Sequence, residues 1–247
     1  LRQQSVDLTD ASTTEATQWL EKAKWKVSVA VDMYLRYHTE AQEDLRVKAV
    51  FNSYKETDKN DTIGIDGTLE YLEALGIEPE DPKTLVLAYL LEAPSMGVFT
   101  RNSFVRNWTK VEAFDISSMR HYIDQYYERF LSDYDLFKKV YDFTFGFLME
   151  YPGQKLMPTS TAIDYWRLLL LTRPEFEPGY IRLNQWLEFA EKEHSRGFSK
   201  DTWTMFLPFI NEVVMLDPEK LSKYDEMAAW PSAVDEYVEW LKDEGLL

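Results

Sequence analysis

The chain has 247 residues, no cysteine, three histidines and a formal net charge of -16, with 45% hydrophobic and 15% aromatic residues. That apolar content supports a packed core and excludes a disordered chain, while the missing cysteines exclude disulfides, Cys-based zinc sites and any thioester-carrying or thiol-based catalyst. The acidity opposes binding to nucleic acid or anionic membranes, and leaves two readings open: attraction to basic protein partners, or solubility alone.

His38, His121 and His194 lie far apart and form no H-E-x-x-H arrangement, so neither a metal site nor a histidine-based triad is expected, and no cofactor is implied. No apolar run reaches the roughly eighteen residues that span a bilayer. Residues 1–7 lack the basic-then-apolar pattern of a secretory signal. The expectation is a soluble, monomeric protein of the cytoplasm, the nucleus or both.

Helical periodicity dominates from the start. After a brief lead-in, Ser12-Thr13-Thr14-Glu15 forms a capping box ahead of Ala16, Trp19, Leu20 and Ala23 at helical spacing. A second helix is expected over 27–37, with Val27, Ala30, Val31 and Tyr34 on one stripe. The polar stretch 38–44 reads either as a linker or as a continuation of that helix.

Helices over 45–55 and 67–75 flank a polar loop that resembles an EF-hand calcium loop stripped of its chemistry. With Asp58 in first place, Asn60 takes a ligand position and Ile65 the central apolar one, while Ile63 replaces the glycine and Leu69 the bidentate glutamate. A second pair is expected from 84–91 and 101–112 around a loop with Gly97 at its turn and Phe99 in the central apolar place. Calcium sensing is not implied.

Further on, 118–140 reads as one polar helix, and Phe143 and Phe147 belong to a buried helix ended by Pro152-Gly153. Pro158 suits the start of the next helix, which runs to Leu171 and stops before Arg173-Pro174. Helices are expected over 182–193, 200–216 and 231–241, with a kink at Pro208. Asp201 follows the cap Ser199, where an acid favours the helix dipole whether or not it has another role. Asp235 and Glu239 lie one turn apart behind Trp230-Pro231, either as a solvated face or as an acidic surface for a lysine- or arginine-bearing partner. Nothing resembles a nucleophile with its base, a phosphate-cradling loop or a paired-carboxylate cleft.

Several ordered motifs then point one way: Ile63-Gly64-Ile65-Asp66-Gly67, Phe143-Thr144-Phe145 with Pro152-Gly153-Gln154-Lys155, Ala162-Ile163-Asp164-Tyr165-Trp166, Ser199-Lys200-Asp201-Thr202-Trp203, and Tyr224-Asp225-Glu226 through Ala229-Trp230-Pro231. With Trp19-Leu20, Trp25 and Ala30-Val31-Asp32-Met33-Tyr34 near the start, the chain resembles the defective-in-cullin-neddylation proteins over nearly its whole length. The resemblance implies an all-α chain: a UBA-like three-helix bundle over 1–38, a linker over 39–46, and a potentiating-neddylation (PONY) domain over 47–245 with two EF-hand-like helix pairs.

It further implies a non-catalytic, scaffold-type co-ligase that binds the C-terminal domain of a cullin and the charged conjugating enzyme, so promoting neddylation by proximity and orientation. By motif, the cullin-binding acidic patch falls on Asp201, Ala229 and Asp235. An apolar pocket for the acetylated N-terminus of the conjugating enzyme falls on Ile65, Thr68, Thr84, Leu87, Ala88, Phe99, Phe147, Tyr165 and Leu168, with Thr68 and Thr84 standing where aliphatic residues are expected. Ubiquitin or the neddylation modifier are the implied ligands of the UBA module. The alternatives are a ubiquitin-binding adaptor with another client and a calcium-binding EF-hand protein.

Overall fold

In a computed structural model, residues 1–9, 11–57 and 61–247 are described, with side chains for all of these except 7 and 39–43. The described residues are overwhelmingly helical, with four strands of two residues each. No helix among them is long and apolar enough to cross a membrane. The chain divides into two compact units, Leu1–Gly76 with Thr100–Tyr122, and Ile77–Phe99 with Ile123–Leu247.

The first unit begins with three packed helices, α1 (Arg2–Thr9), α2 (Thr13–Lys22) and α3 (Val27–Tyr54). The expected lead-in is thus itself a helix, whose low apolar content hid it from periodicity. The capping box forms as expected: Ser12 Oγ accepts from the Glu15 N–H, and the Glu15 carboxylate accepts from the Ser12 N–H. Leu20, Ala23 and Ala30 make a small core against Trp19 and Val27. Between α2 and α3 the chain turns through Lys24 and Trp25 at φ 50° and 61°. From Val27 onward no glycine or proline interrupts the chain until Gly64, and the helix continues without a break to Tyr54, through the stretch read as linker or continuation.

The C-terminal half of α3 packs on α4 (Ile65–Leu75) and α6 (Arg101–Lys110) through fully buried Phe51, Tyr71, Phe104 and Trp108. Phe51 and Tyr71 lie 5.4 and 5.3 Å from the Phe104 ring. The first loop corrects its expected register. Strand β1 is Thr62–Ile63, so Ile63, fully buried, is the central apolar residue, while Ile65 opens α4 with 63% exposure. The glycines impose that register: a Cβ at Gly67 would fall on the Tyr54 carbonyl oxygen. Asp58 and Asn60, the ligand positions read from sequence, lie outside the described residues. Asp61 is engaged by Arg101, whose Nε and Nη2 reach its two carboxylate oxygens at 2.6 and 2.8 Å.

The second unit holds α5 (Lys83–Leu90), which packs on α8 (Tyr134–Phe147), and the later part of α7 (Ile116–Ser132). The expected single helix over 118–140 breaks at Asp133, whose carboxylate caps α8 by accepting from the Leu136 N–H at 3.1 Å and pairs with Arg129 at 3.1 Å. Two further helix-loop-strand-helix pairs follow, unforeseen from sequence: α8, β3 (Leu156–Met157) and α9 (Thr159–Leu170), then α10 (Tyr180–Glu193), β4 (Phe198–Ser199) and α11 (Lys200–Phe209). The two strands pair antiparallel, Met157 opposite Phe198, and both residues are buried. Gly197, at φ +87°, approaches the Met157 backbone so closely that no side chain fits.

These helices meet in an aromatic core. Trp166, Trp186 and Trp203 are all but fully buried, and Trp203 stacks on Tyr141 at 4.7 Å and on Trp166 at 5.3 Å. Tyr141 and Trp203 are reciprocally bonded: the Tyr141 hydroxyl donates to the Trp203 carbonyl at 2.8 Å, and Trp203 Nε1 donates to the Tyr141 carbonyl at 2.9 Å. Trp166 Nε1 donates to the same hydroxyl at 2.9 Å. Pro208 lies inside α11. The helix runs to Phe209 and widens into a π-helical turn, Ile210–Val214, where Asn211 Nδ2 satisfies the Leu207 carbonyl at 2.8 Å. The last helix, α12 (Ser232–Asp243), buries Val234, Tyr237, Val238 and Leu241.

Two tests follow from this packing. Tyr141→Phe leaves the buried Trp166 N–H without its acceptor and is expected to lower unfolding stability by about 1–3 kcal/mol in urea denaturation; a change below about 0.5 kcal/mol would refute that role. At Asp133, the Leu136 N–H and then Arg129 hold the carboxyl below its usual range. Because the folded value lies below the unfolded one, the associated stability is present above about pH 4 and is lost as pH falls through the lowered folded value. Acid titration of stability should therefore be shallower for Asp133→Ala than for the wild type, and identical slopes would contradict the assignment.

Candidate functional site

The chain edge built by α11, α12 and the loop between them carries the candidate docking residues. At the start of α11, Ser199 ends β4 and caps the helix, its Oγ accepting from the Thr202 N–H at 3.1 Å. Trp203 is locked into the aromatic core, so the first turn cannot rotate, and Asp201 is left exposed on it. Asp201 has no hydrogen-bond or ion-pair partner among the described residues, although its charge does sit favourably at the positive end of the helix dipole.

The loop after the π-helical turn is held from beneath by Arg182, a cation only 5% exposed. Its guanidinium donates to the carbonyls of Pro218, Glu219 and Leu246 at 2.6, 2.5 and 2.9 Å, and its Nη1 also donates to Gln185 Oε1 at 2.9 Å. A buried cation with four oxygen acceptors is a strong fixing point, because losing any of them would leave a buried, charged N–H donor unpaired. Within the loop, Leu221 is buried at φ +47°. Ala229 is exposed, and its neighbour Trp230 packs its ring 5.7 Å from Phe209 of α11.

On α12, which packs against α11, three acids occupy the first two turns in different states. Asp235 is partly buried and accepts from the Tyr224 hydroxyl at 2.6 Å. Glu236 lies 2.9 Å from His194 Nε2, and Glu239 is exposed. Tyr237 anchors the helix by donating to the Arg182 carbonyl at 2.7 Å. Burial and then the Asp235 carboxylate push the Tyr224 phenol well above its usual range, so it remains a donor throughout the physiological range. The three patch residues thus belong to one unit, Asp201 and Asp235 each in the first turn of one of two packed helices. No direct bond links them among the described residues.

The residues expected to line an apolar pocket divide between the units. Ile65 and Thr68 sit on the first turns of α4, Ile65 exposed and Thr68 buried. In the second unit, Leu87 and Ala88 on α5, Phe99 on β2 (Phe99–Thr100) and Phe147 at the end of α8 are at most 6% exposed. Thr84 is partly buried, its hydroxyl donating to the Glu78 carbonyl at 3.2 Å. Tyr165 and Leu168, three residues apart on α9, are half-buried, and burial raises the Tyr165 phenol.

Tyr224, Arg182 and His194 went unread as site-forming residues. Tyr224 lies eleven residues before Asp235, and no local spacing rule connects a loop tyrosine to a helix in that way. Met227, 87% exposed amid Asp225 and Glu226, was likewise unmarked. Among the described residues no group of three or more histidine or acidic side chains could hold a metal ion.

Residues 118–240 match a family model described as cullin binding, and residues 3–40 one described as a UBA-like domain. Among curated proteins, the chain is 35% identical over 290 residues to a Defective in cullin neddylation protein 1 of Candida albicans, covering 100% of this chain and 98% of that protein. It is 37% identical over 239 residues to its namesake in Yarrowia lipolytica, covering 96% and 94%. A DCN1-like protein 3 of Drosophila melanogaster is 32% identical over 216 residues, covering 85% of this chain and 61% of that protein. With the Candida and Yarrowia relatives covering 100% and 96% of a predominantly helical chain whose residues 3–40 match a UBA-like domain, this protein belongs to the defective-in-cullin-neddylation family.

Proposed function

We propose that this chain is a non-catalytic co-ligase for cullin neddylation, which holds a cullin and the charged conjugating enzyme together while the thioester reacts. The observation that carries this reading is the pair of first-turn acids on the packed helices α11 and α12, exposed Asp201 and partly buried Asp235, in a segment matched by the cullin-binding family model. Asp201 and Asp235 offer carboxylates to lysine or arginine side chains of the cullin, and the exposed Ala229 presents only a methyl group to an approaching partner. The net charge of -16 assists encounter with a basic surface.

In the transfer itself, a cullin lysine amine attacks the thioester carbonyl and the conjugating enzyme's thiolate leaves. This chain, having no cysteine, cannot itself carry the thioester. Its contribution is orientation, which can lower a barrier by several kcal/mol through prepaid entropy. For the conjugating enzyme, the half-buried Tyr165 and Leu168 on α9 and Phe147 at the end of α8 are the proposed apolar receptors of an acetylated N-terminus. Acetylation removes a charge whose burial would be costly. The UBA-like bundle is assigned ubiquitin or the modifier as its ligand.

In a reconstituted assay of modifier transfer to a cullin, wild-type protein should accelerate the reaction, and Asp201→Lys or Asp235→Lys should each cut the acceleration at least about tenfold at physiological salt. Absence of acceleration by the wild type would overturn the co-ligase reading; unaltered acceleration by both variants would overturn the patch. For the second partner, an N-terminally acetylated peptide of the conjugating enzyme should bind at least about tenfold more tightly than the free-amine peptide, with Tyr165→Ala removing the preference. Equal affinities would contradict the apolar receptor.

A further inference from the structure

We propose that Tyr224 is a positioning residue for docking: its hydroxyl holds one carboxylate oxygen of Asp235, so that the other is presented in a fixed direction to a basic side chain of the bound protein. The proposal rests on the reading of Asp201, Ala229 and Asp235 as the docking surface.

Asp235 Oδ1 accepts a hydrogen bond from the Tyr224 hydroxyl at 2.6 Å, and Oδ2 has no partner among the described residues. The backbone beneath it is fixed as well, since its N–H bonds to the Pro231 carbonyl at 3.4 Å and the stripe Val234, Tyr237 and Val238 buries α12 on either side. One oxygen restrained and one free is the state that a partner's ammonium or guanidinium can use without first ordering the side chain. Binding then avoids part of the rotamer cost that an unrestrained acid incurs.

The tyrosine itself is rigidly mounted. Its N–H bonds to the Leu221 carbonyl at 2.8 Å, Leu221 is buried in a left-handed conformation, and Arg182 grips the carbonyls of Pro218 and Glu219 just before it. Because the holder is a neutral phenol, it orders the carboxylate without cancelling its charge. The neighbouring acids differ: Glu236 lies 2.9 Å from His194 Nε2, and Glu239 has no hydrogen-bond or ion-pair partner among the described residues.

The test is a double-mutant cycle on the full chain, with affinity for a cullin C-terminal domain measured by calorimetry and folding followed by thermal unfolding. Tyr224→Phe is expected to weaken binding about three- to tenfold, the range of a lost hydrogen bond, with little change in the unfolding midpoint. In the Asp235→Ala background it should weaken binding no further, because nothing remains to position. A loss that persists undiminished in that background would mark Tyr224 as an independent contact or a structural element and overturn the proposal. So would unaltered affinity of Tyr224→Phe alongside weakened Asp235→Ala. If Asp235→Ala itself binds like the wild type, the docking surface falls first, and the positioning role with it.

Discussion

The reciprocal hydrogen bonds between Tyr141 and Trp203 set the geometry on which the rest of the second unit depends. Each residue gives its side-chain donor to the other's backbone carbonyl while the rings stack at 4.7 Å, so α8 and α11 are fixed in both register and rotation. Trp166 joins the pair from α9 through the same hydroxyl. Leaving any of these three buried groups unpaired would cost more than its bond contributes, which favours this one arrangement of the pair. Asp201 sits two residues from Trp203, so an interior constraint determines where a surface charge points.

A second constraint fixes the other half of the acidic edge. Arg182 draws three backbone carbonyls from the loop and the chain end onto α10, and Tyr237 ties α12 to the Arg182 carbonyl. The loop that carries Tyr224 and Ala229 is therefore ordered by a buried cation rather than by an apolar core of its own. Its exposed surface is left free to be acidic. This separation of roles, cations beneath and carboxylates outside, lets a chain of net charge -16 keep a stable edge without neutralising it.

Most of the fold was legible because helix signals are local. The capping box at Ser12, the cap at Ser199 and the proline at the start of α12 each mark a boundary through hydrogen bonds only three residues long or a single restricted torsion. What escaped depended on distant contacts. The break at Asp133 falls inside a continuous helical period, and it becomes a boundary only because the carboxylate caps α8. The register of the first loop hinged on Gly67, whose need to be glycine arises from the Tyr54 carbonyl thirteen residues earlier. Short strands β3 and β4 carry too few residues to show alternation and are defined by pairing between Leu156 and Ser199 and between Met157 and Phe198, far apart in the chain. At the site, charge pattern leaves Asp201 and Asp235 open between solvated acids and a docking surface, since both occupy first-turn positions where an acid is ordinary, and motif resemblance is what favours docking. Tyr224 and Arg182 act through side-chain reach, which spacing along a sequence does not encode.

The central claim is that one pre-ordered edge, made from the first turn of α11, the loop through Tyr224 and Ala229, and the first turns of α12, receives the cullin. Hydrogen exchange of the backbone amides, followed with and without a saturating cullin C-terminal domain, tests this most directly. Added protection is expected mainly at residues 200–204 and 224–240, with the amides of the aromatic core unchanged. Protection concentrated elsewhere, with those two segments exchanging as in the free protein, would contradict it.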